Sequence, residues 1–252
     1  MTGRLVLVGL GPGDPRMQSA QASAALADAT DLVGYGPYLD RVPPRPGVMR
    51  HASDNREEIS RARHALALAQ AGRQVAVVSS GDSGVFAMAS AVFEAIEHGA
   101  PEWRDIDVEV IPGISAMFAV AARVGAPLGH DFCAMSLSDN LKPWETVTRR
   151  LAAAAGAGFV LALYNPISRA RPWQLGAAFL LLRSLLPATT PVIFATAVSR
   201  ADEAIDIVPL ADADPARADM RTLVLVGSAM TRRIDRAGAA PWLYTPRGLD
   251  PA

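Results

Sequence analysis

Residues 4 to 15, Arg-Leu-Val-Leu-Val-Gly-Leu-Gly-Pro-Gly-Asp-Pro, restrict the architecture more than any other stretch of the chain. An uninterrupted run of Leu and Val ending in a cluster of Gly and Pro is the pattern of a strand buried on both faces that feeds a tight loop. Parallel sheets are covered on both faces, and their ligands gather at the carboxyl ends of the strands, where such loops leave backbone groups accessible. The dinucleotide fingerprint would need glycines at 9, 11 and 14. Position 14 is Asp, and positions 12 and 15 are Pro. Pro12 removes an amide donor, and Asp14 puts negative charge where a diphosphate would sit.

The remaining strands and helices follow the same logic. Met17 to Ala29 reads as a helix and Asp31 to Gly34 as a strand. Tyr35-Gly36-Pro37-Tyr38 reads as a turn with two aromatic rings, and the Pro-rich stretch to Ser53 as an irregular excursion. Asp54 and Glu57 form a capping-box pattern opening a helix to about Ala71, closed by Gly72. Gln74 to Ser79 is a second buried strand ending in small residues, Ser80 to Gly84, before a helix from about Val85 to His98. Val108 to Ile111 repeats the pattern, running into Pro112 to Ala116. Three such loops line one edge of a parallel sheet.

Past Gly125 the texture changes to a linker, and the later strands lie too close together for helical crossovers. Expected are strands at 132–136, 159–164, 192–198, 204–208 and 222–226, and helices at 143–155, with Pro143 at its first position, and 173–186. Short intervals favour mixed or antiparallel pairing. The expectation is an α/β protein of two α/β domains, 1–120 with a mostly parallel sheet and 121–252 with a mixed sheet, and a cleft between them.

Composition excludes several function classes. Half of the 252 residues are apolar, enough for a sizeable core, while the net charge of −1 disfavours a general nucleic-acid binder. No charged-then-apolar leader precedes the first strand and no run is long enough to span a membrane, so a cytoplasmic protein without membrane partners is expected. The single Cys133 has no disulfide partner and reads as a buried structural thiol. The four His, at 51, 64, 98 and 130, show no i,i+4 pair, so no metal site is expected.

The motifs Gly9-Leu10-Gly11-Pro12-Gly13-Asp14-Pro15, Ser80-Gly81-Asp82-Ser83-Gly84-Val85-Phe86, Pro112-Gly113-Ile114-Ser115-Ala116 and Tyr164-Asn165-Pro166, in that order, resemble the tetrapyrrole (precorrin) methyltransferase family. Val33 to Tyr38, Gly129 to Phe132, Ser136 to Asp139 and Pro143-Trp144-Glu145 resemble the branch that methylates C17 of precorrin-3B with ring contraction in cobalamin biosynthesis. The resemblance spans about residues 4 to 233. Ser83 departs from the Gly-Asp-Pro form common in the second loop.

The resemblance implies a homodimer, S-adenosylmethionine as methyl donor with S-adenosylhomocysteine as product, and precorrin-3B as the tetrapyrrole substrate. It marks Pro12, Gly81, Asp82, Val85, Ser115, Ala116, Asn165 and Ala195 as cofactor-contacting positions. Ring contraction further needs acid-base groups, for which His130, Asp139, Glu145 and His51 are candidates, with Tyr35 and Tyr38 as donors or stacking surfaces. The macrocycle's many carboxylates call for cations, and almost every cation of the chain is Arg. Two other readings stand beside this one: another precorrin or cobalt-precorrin methyltransferase, and, more distantly, an NAD(P)-dependent reductase. Each candidate also has a purely structural explanation. Asp82 can cap a helix, His51 and His130 can be ordinary loop residues, and Trp144 can anchor the core.

Overall fold

The structure, a computed structural model, describes residues 3–54 and 57–248. The chain divides into two compact units, Met1–Ser115 and Ala116–Ala252. The first unit runs β1 (Arg4–Gly9), α1 (Ala20–Asp28), β2 (Asp31–Tyr35), α2 (Gly36–Leu39), β3 (Met49–Ser53), α3 (Glu58–Gln70), β4 (Gln74–Ser79), α4 (Met88–His98) and β5 (Asp107–Ile111). Its strands form one fully parallel sheet in the order β3-β2-β4-β1-β5.

Successive strand residues face opposite sides of a sheet, and both sides here are covered. Leu5, Leu7, Val75 and Val77 meet Ala62, Ala65, Leu66 and Ala69 of α3 and Met88, Ala91 and Val92 of α4. Val6, Val8, Ala76 and Val78 meet Ala22 and Leu26 of α1 and Leu39 of α2. This two-sided burial is what the continuous apolar runs demand, at about 1.5–3 kcal/mol for each Leu or Val taken from water.

The second unit runs α5 (Ala116–Val124), β6 (Gly125–Ala126), β7 (Phe132–Ser136), α6 (Trp144–Gly156), β8 (Val160–Tyr164), α7 (Gln174–Arg183), β9 (Pro191–Thr196), β10 (Ala204–Pro209), β11 (Thr222–Val226), β12 (Arg232–Arg236) and β13 (Ala239–Tyr244). A five-stranded mixed sheet has the order β10-β9-β11-β8-β7, with only β7 and β8 parallel. Helices α6 and α7 cover one face, where Leu151, Leu175, Phe179 and Leu182 pack on Met135, Leu161, Leu163, Phe194 and Val224. Phe179 and Phe194 meet edge to face, centroids 5.8 Å apart. A small sheet, β12-β13-β6, completes the unit.

The departures from expectation have physical causes. The stretch expected to be irregular contains β3, an edge strand, Met-Arg-His-Ala-Ser, whose side chains carry no apolar alternation. The hairpin β12-β13 extends the chain's strand content past 226; Arg232-Arg-Ile-Asp-Arg236 is exposed throughout, so hydrophobicity gives no sign of it. Helix α1 starts at Ala20 rather than Met17 because the Ser19 hydroxyl accepts from the Ala22 amide at 3.1 Å. Half of the capping box forms: the Glu57 carboxylate accepts from the Asp54 amide at 3.1 Å, and residues 55 and 56 lie outside the described residues. Pro143 stands at the cap of α6, one position before the place expected for it. Cys133 is half-buried and packs against the core of the second unit.

Candidate functional site

In the first unit β4, β1 and β5 are neighbours, so the three small-residue loops leave the sheet side by side. Their backbones touch. Gly11 and Gly81 exchange amide-to-carbonyl bonds of 3.0 and 2.9 Å, each glycine at a positive φ (71° and 67°). A Cβ on Gly113 would lie 2.2 Å from the Gly81 carbonyl oxygen, and one on Gly9 would lie 2.6 Å from the Gly113 nitrogen. Only hydrogen fits at 9 and 113, which is the reason for glycine in the first and third motifs.

Asp82 locks this contact. Its Oδ1 accepts from the Gly84 amide at 2.7 Å and its Oδ2 from the Gly113 amide at 3.0 Å, joining the second loop to the third. Helix α4 begins at Met88 rather than Val85, because Phe86 takes a positive φ of 51° that interrupts the helix before it starts. Ser83 is fully buried, its hydroxyl donating to the Leu7 carbonyl at 3.4 Å. Arg41, which the sequence reading passed over, ties the first two loops together. Its guanidinium donates to the Leu10 carbonyl (3.0 Å), the Gly11 carbonyl (2.9 Å) and the Ser80 hydroxyl (3.0 Å). Of the other marked positions in this unit, Pro12, Gly81 and Ser115 are buried and Val85 is half-buried.

Tyr35 ends β2 and Tyr38 lies in α2; their rings meet edge to face at 5.2 Å, both half-exposed. His51 belongs to β3. Its Nε2 lies 2.8 Å from Oδ1 of Asp31, and its Nδ1 lies 3.0 Å from Nε2 of His64. Asp31 is 1% exposed and also accepts from Arg73 Nε and Thr30 Oγ1, each at 2.7 Å. Burial alone would push this carboxyl up; the hydrogen bonds from Arg73, His51 and Thr30 outweigh it and hold Asp31 below its ordinary value.

In the second unit, Asn165 follows β8 at a positive φ of 51°, and its amide donates to Ser136 Oγ at 3.0 Å. Ser136 Oγ also accepts from the Ser138 amide, so the ends of the parallel pair β7 and β8 are stitched together. Arg171 donates to the Asn165 carbonyl at 3.0 Å, and the Tyr164 hydroxyl accepts from the Met117 amide at the start of α5. Asp139 accepts from Nε2 of Gln174 through both oxygens at 3.1 Å, while the Oε1 of that buried amide has no partner among the described residues. Ala197 and Ser199, just past β9, also hold positive φ, at 51° and 64°. Strained backbone of this kind costs about 1–3 kcal/mol per residue and collects in ligand-binding loops. Ala195 is buried within β9, between β10 and β11, and Ala116 is half-buried at the start of α5.

The acid-base candidates of this unit are not joined to one another. No hydrogen bond or ion pair connects His130, Asp139 and Glu145. The His130 Nδ1 accepts from the adjacent Asp131 amide at 2.8 Å. Glu145 is exposed in the first turn of α6, where a carboxylate complements the helix dipole. Trp144 packs on the core and meets Trp173 edge to face at 5.1 Å. Among the described residues, no group of three or more His, Cys, Asp or Glu could hold a metal, and no helix is long and apolar enough to cross a membrane.

The family described as Tetrapyrrole (Corrin/Porphyrin) Methylases matches residues 4–214. The chain is 59% identical over 247 residues to the precorrin-3B C(17)-methyltransferase of Sinorhizobium sp, covering 98% of this chain and 97% of that protein. It is 52% identical to the cobalamin biosynthesis protein CobIJ of Mycobacterium bovis across 98% of this chain, and spans 48% of that longer protein. Among solved structures, that of the methyltransferase CobJ superposes with a TM-score of 0.93 at 51% identity, covering 97% of this chain and all of the other.

Proposed function

This chain belongs to the tetrapyrrole (corrin/porphyrin) methylases, and from that membership we propose that it transfers a methyl group from S-adenosylmethionine to C17 of precorrin-3B, with ring contraction to precorrin-4. The observation that carries the reading is the 59% identity to the Sinorhizobium enzyme along nearly the whole of both chains. The cofactor, when bound, supplies an electrophilic methyl on a sulfonium.

The residues present fit such a cofactor. Asp82 stands in the second loop, where a carboxylate complements a cation and opposes a diphosphate, while Asp14 of the first loop is paired with Arg16. A Cβ on Gly84 would approach only the Asp82 carboxylate, at 3.2 Å, so the backbone there stays accessible. We assign Pro12, Gly81, Asp82, Val85 and Ser115 of the first unit, and Ala116, Asn165 and Ala195 of the second, to cofactor contact. Methyl transfer from a sulfonium is an in-line displacement in which positive charge disperses, so the protein contributes alignment above all. The bridged glycines, the Asp82 clamp and the Arg41 tether provide it by fixing the loops before any ligand arrives.

Ring contraction needs a proton taken from a hydroxyl and one supplied to a leaving oxygen. Asp139, held through both oxygens by Gln174, is the best-positioned of the acid-base candidates. His51, whose two ring nitrogens are already engaged, is better placed to support binding, and Tyr35 and Tyr38 offer ring surface. We place His130 and Glu145 in supporting roles in their own loop and helix. The enzyme is proposed to work in the cytoplasm as a homodimer, which light scattering after size exclusion measures directly.

Incubation with methyl-labelled S-adenosylmethionine and precorrin-3B tests the reading: label is expected at C17 of a ring-contracted product, and its absence overturns the assignment. A nicotinamide-dependent reductase fares worse on the geometry, since β2 ends in Tyr35 where an acidic ribose-binding residue would stand. Calorimetry should accordingly detect S-adenosylhomocysteine binding and none of NAD(P).

A further inference from the structure

Beside the edge strand of the first unit lies a cavity of about 440 Å³ lined by Arg50, His51 and Ser53 of β3 and by Ser60, Arg61 and His64 of α3. Among the described residues its polar lining is built of donors and imidazoles, without a carboxylate. Arg61 is the unusual member. It is 5% exposed, yet among the described residues its hydrogen-bond partners are neutral: the Ser53 hydroxyl at 2.6 Å, the Asp54 carbonyl at 2.6 Å and the Met88 sulfur at 3.2 Å. Burial pushes its guanidinium below the ordinary value, and coulombic attraction to Glu58, Glu57 and Tyr38 opposes that without overcoming it. A buried cation that settles for a thioether is short of an anion.

The two histidines add further hydrogen-bonding groups to the cavity wall. The Asp31 carboxylate can only accept, so His51 donates to it from Nε2, and His51 Nδ1 is left to accept from His64 Nε2. In that arrangement His64 Nδ1 stands outside the chain of bonds among the described residues. Ser53 accepts from Arg61 and keeps its own hydroxyl proton for another partner. Ser53 ends β3 in register with Tyr35, which places the cavity toward the same sheet edge as the three loops.

We propose that this cavity is a carboxylate subsite that takes one side-chain carboxylate of the tetrapyrrole, held by Arg61 and the Ser53 hydroxyl with the His64 imidazole lining its wall. It rests on the tetrapyrrole reading above and adds to it the place of one substrate contact. A bidentate guanidinium-carboxylate pair completes the partners that Arg61 lacks.

The test uses uroporphyrin III, a stable porphyrin octacarboxylate, as a fluorescent probe and S-adenosylhomocysteine as a control ligand, with the full chain. His64→Gln, on the exposed side of α3, and Arg61→Gln are each expected to weaken porphyrin binding about tenfold. Affinity for S-adenosylhomocysteine should stay unchanged, and in turnover the tetrapyrrole KM should rise while kcat holds. Unchanged porphyrin affinity in folded His64→Gln protein overturns the subsite, as does an equal loss of both ligands. A wild-type chain that binds S-adenosylhomocysteine but no porphyrin also overturns it. One that binds neither overturns the methyltransferase reading itself.

Discussion

At the scale of single residues, most of the determining interactions join positions far apart in the chain. Asp82→Ala frees the Gly84 and Gly113 amides and should cost about 1–3 kcal/mol in chemical denaturation, with a parallel loss of S-adenosylhomocysteine affinity in calorimetry. Asp31→Asn removes the negative charge and turns one of the two oxygens facing Arg73, His51 and Thr30 into a donor, and should cost about 3 kcal/mol at neutral pH. Because the folded state holds the Asp31 carboxyl below its ordinary value of 3.8, its contribution is fully present above that value. It is lost as pH falls further through the folded-state value, so the wild type and Asp31→Asn should converge in stability in that acid range. The motif glycines and Asp82 stand out in the sequence as types, but Asp82's role in joining two loops depends on a contact 31 residues away. Arg41 and the Asp31-His51-His64 chain carry no local signature at all, since their partners are set by which strands become neighbours.

Among the elements, strands with continuous apolar runs were legible because burial on both faces leaves no other use for such a run. β1, β4 and β11 follow from that rule, as does the mixed pairing of the second unit, which follows from intervals too short for crossovers. β3 and the β12-β13 hairpin escape it because edge strands half in water can carry Arg, His and Ser. The glycines separate by the same physics. Gly113→Ala should cost about 3 kcal/mol or more, since its new methyl meets backbone that cannot move aside. Gly156→Ala, at the last residue of α6 with nothing within 4 Å, should stabilise by about 0.5–1 kcal/mol through the unfolded chain. Thermal or urea unfolding of the two variants side by side measures the contrast.

For the whole molecule, a ligand that binds only the folded state adds about 2.7 kcal/mol at a hundredfold excess over its Kd, so S-adenosylhomocysteine should raise the melting temperature in a concentration-dependent way. Thermal scans at rising ligand concentration check this, and a flat response would contradict the cofactor assignment. The order β3-β2-β4-β1-β5 was not legible from sequence, because it depends on non-local pairing rather than on any one segment. The small sheet is the extreme case. Two-residue β6 pairs with β13, the Thr245 hydroxyl donates to the Pro127 carbonyl 118 residues earlier, and the Thr245 amide donates to Ala126. During synthesis at about 5–20 residues per second, that gap is a wait of about 6–24 seconds. Through this interval the segment after α5 emerges with its hydrogen-bonding partners not yet made, so the second unit has a built-in delay during which a chaperone or a misplaced strand can compete for it.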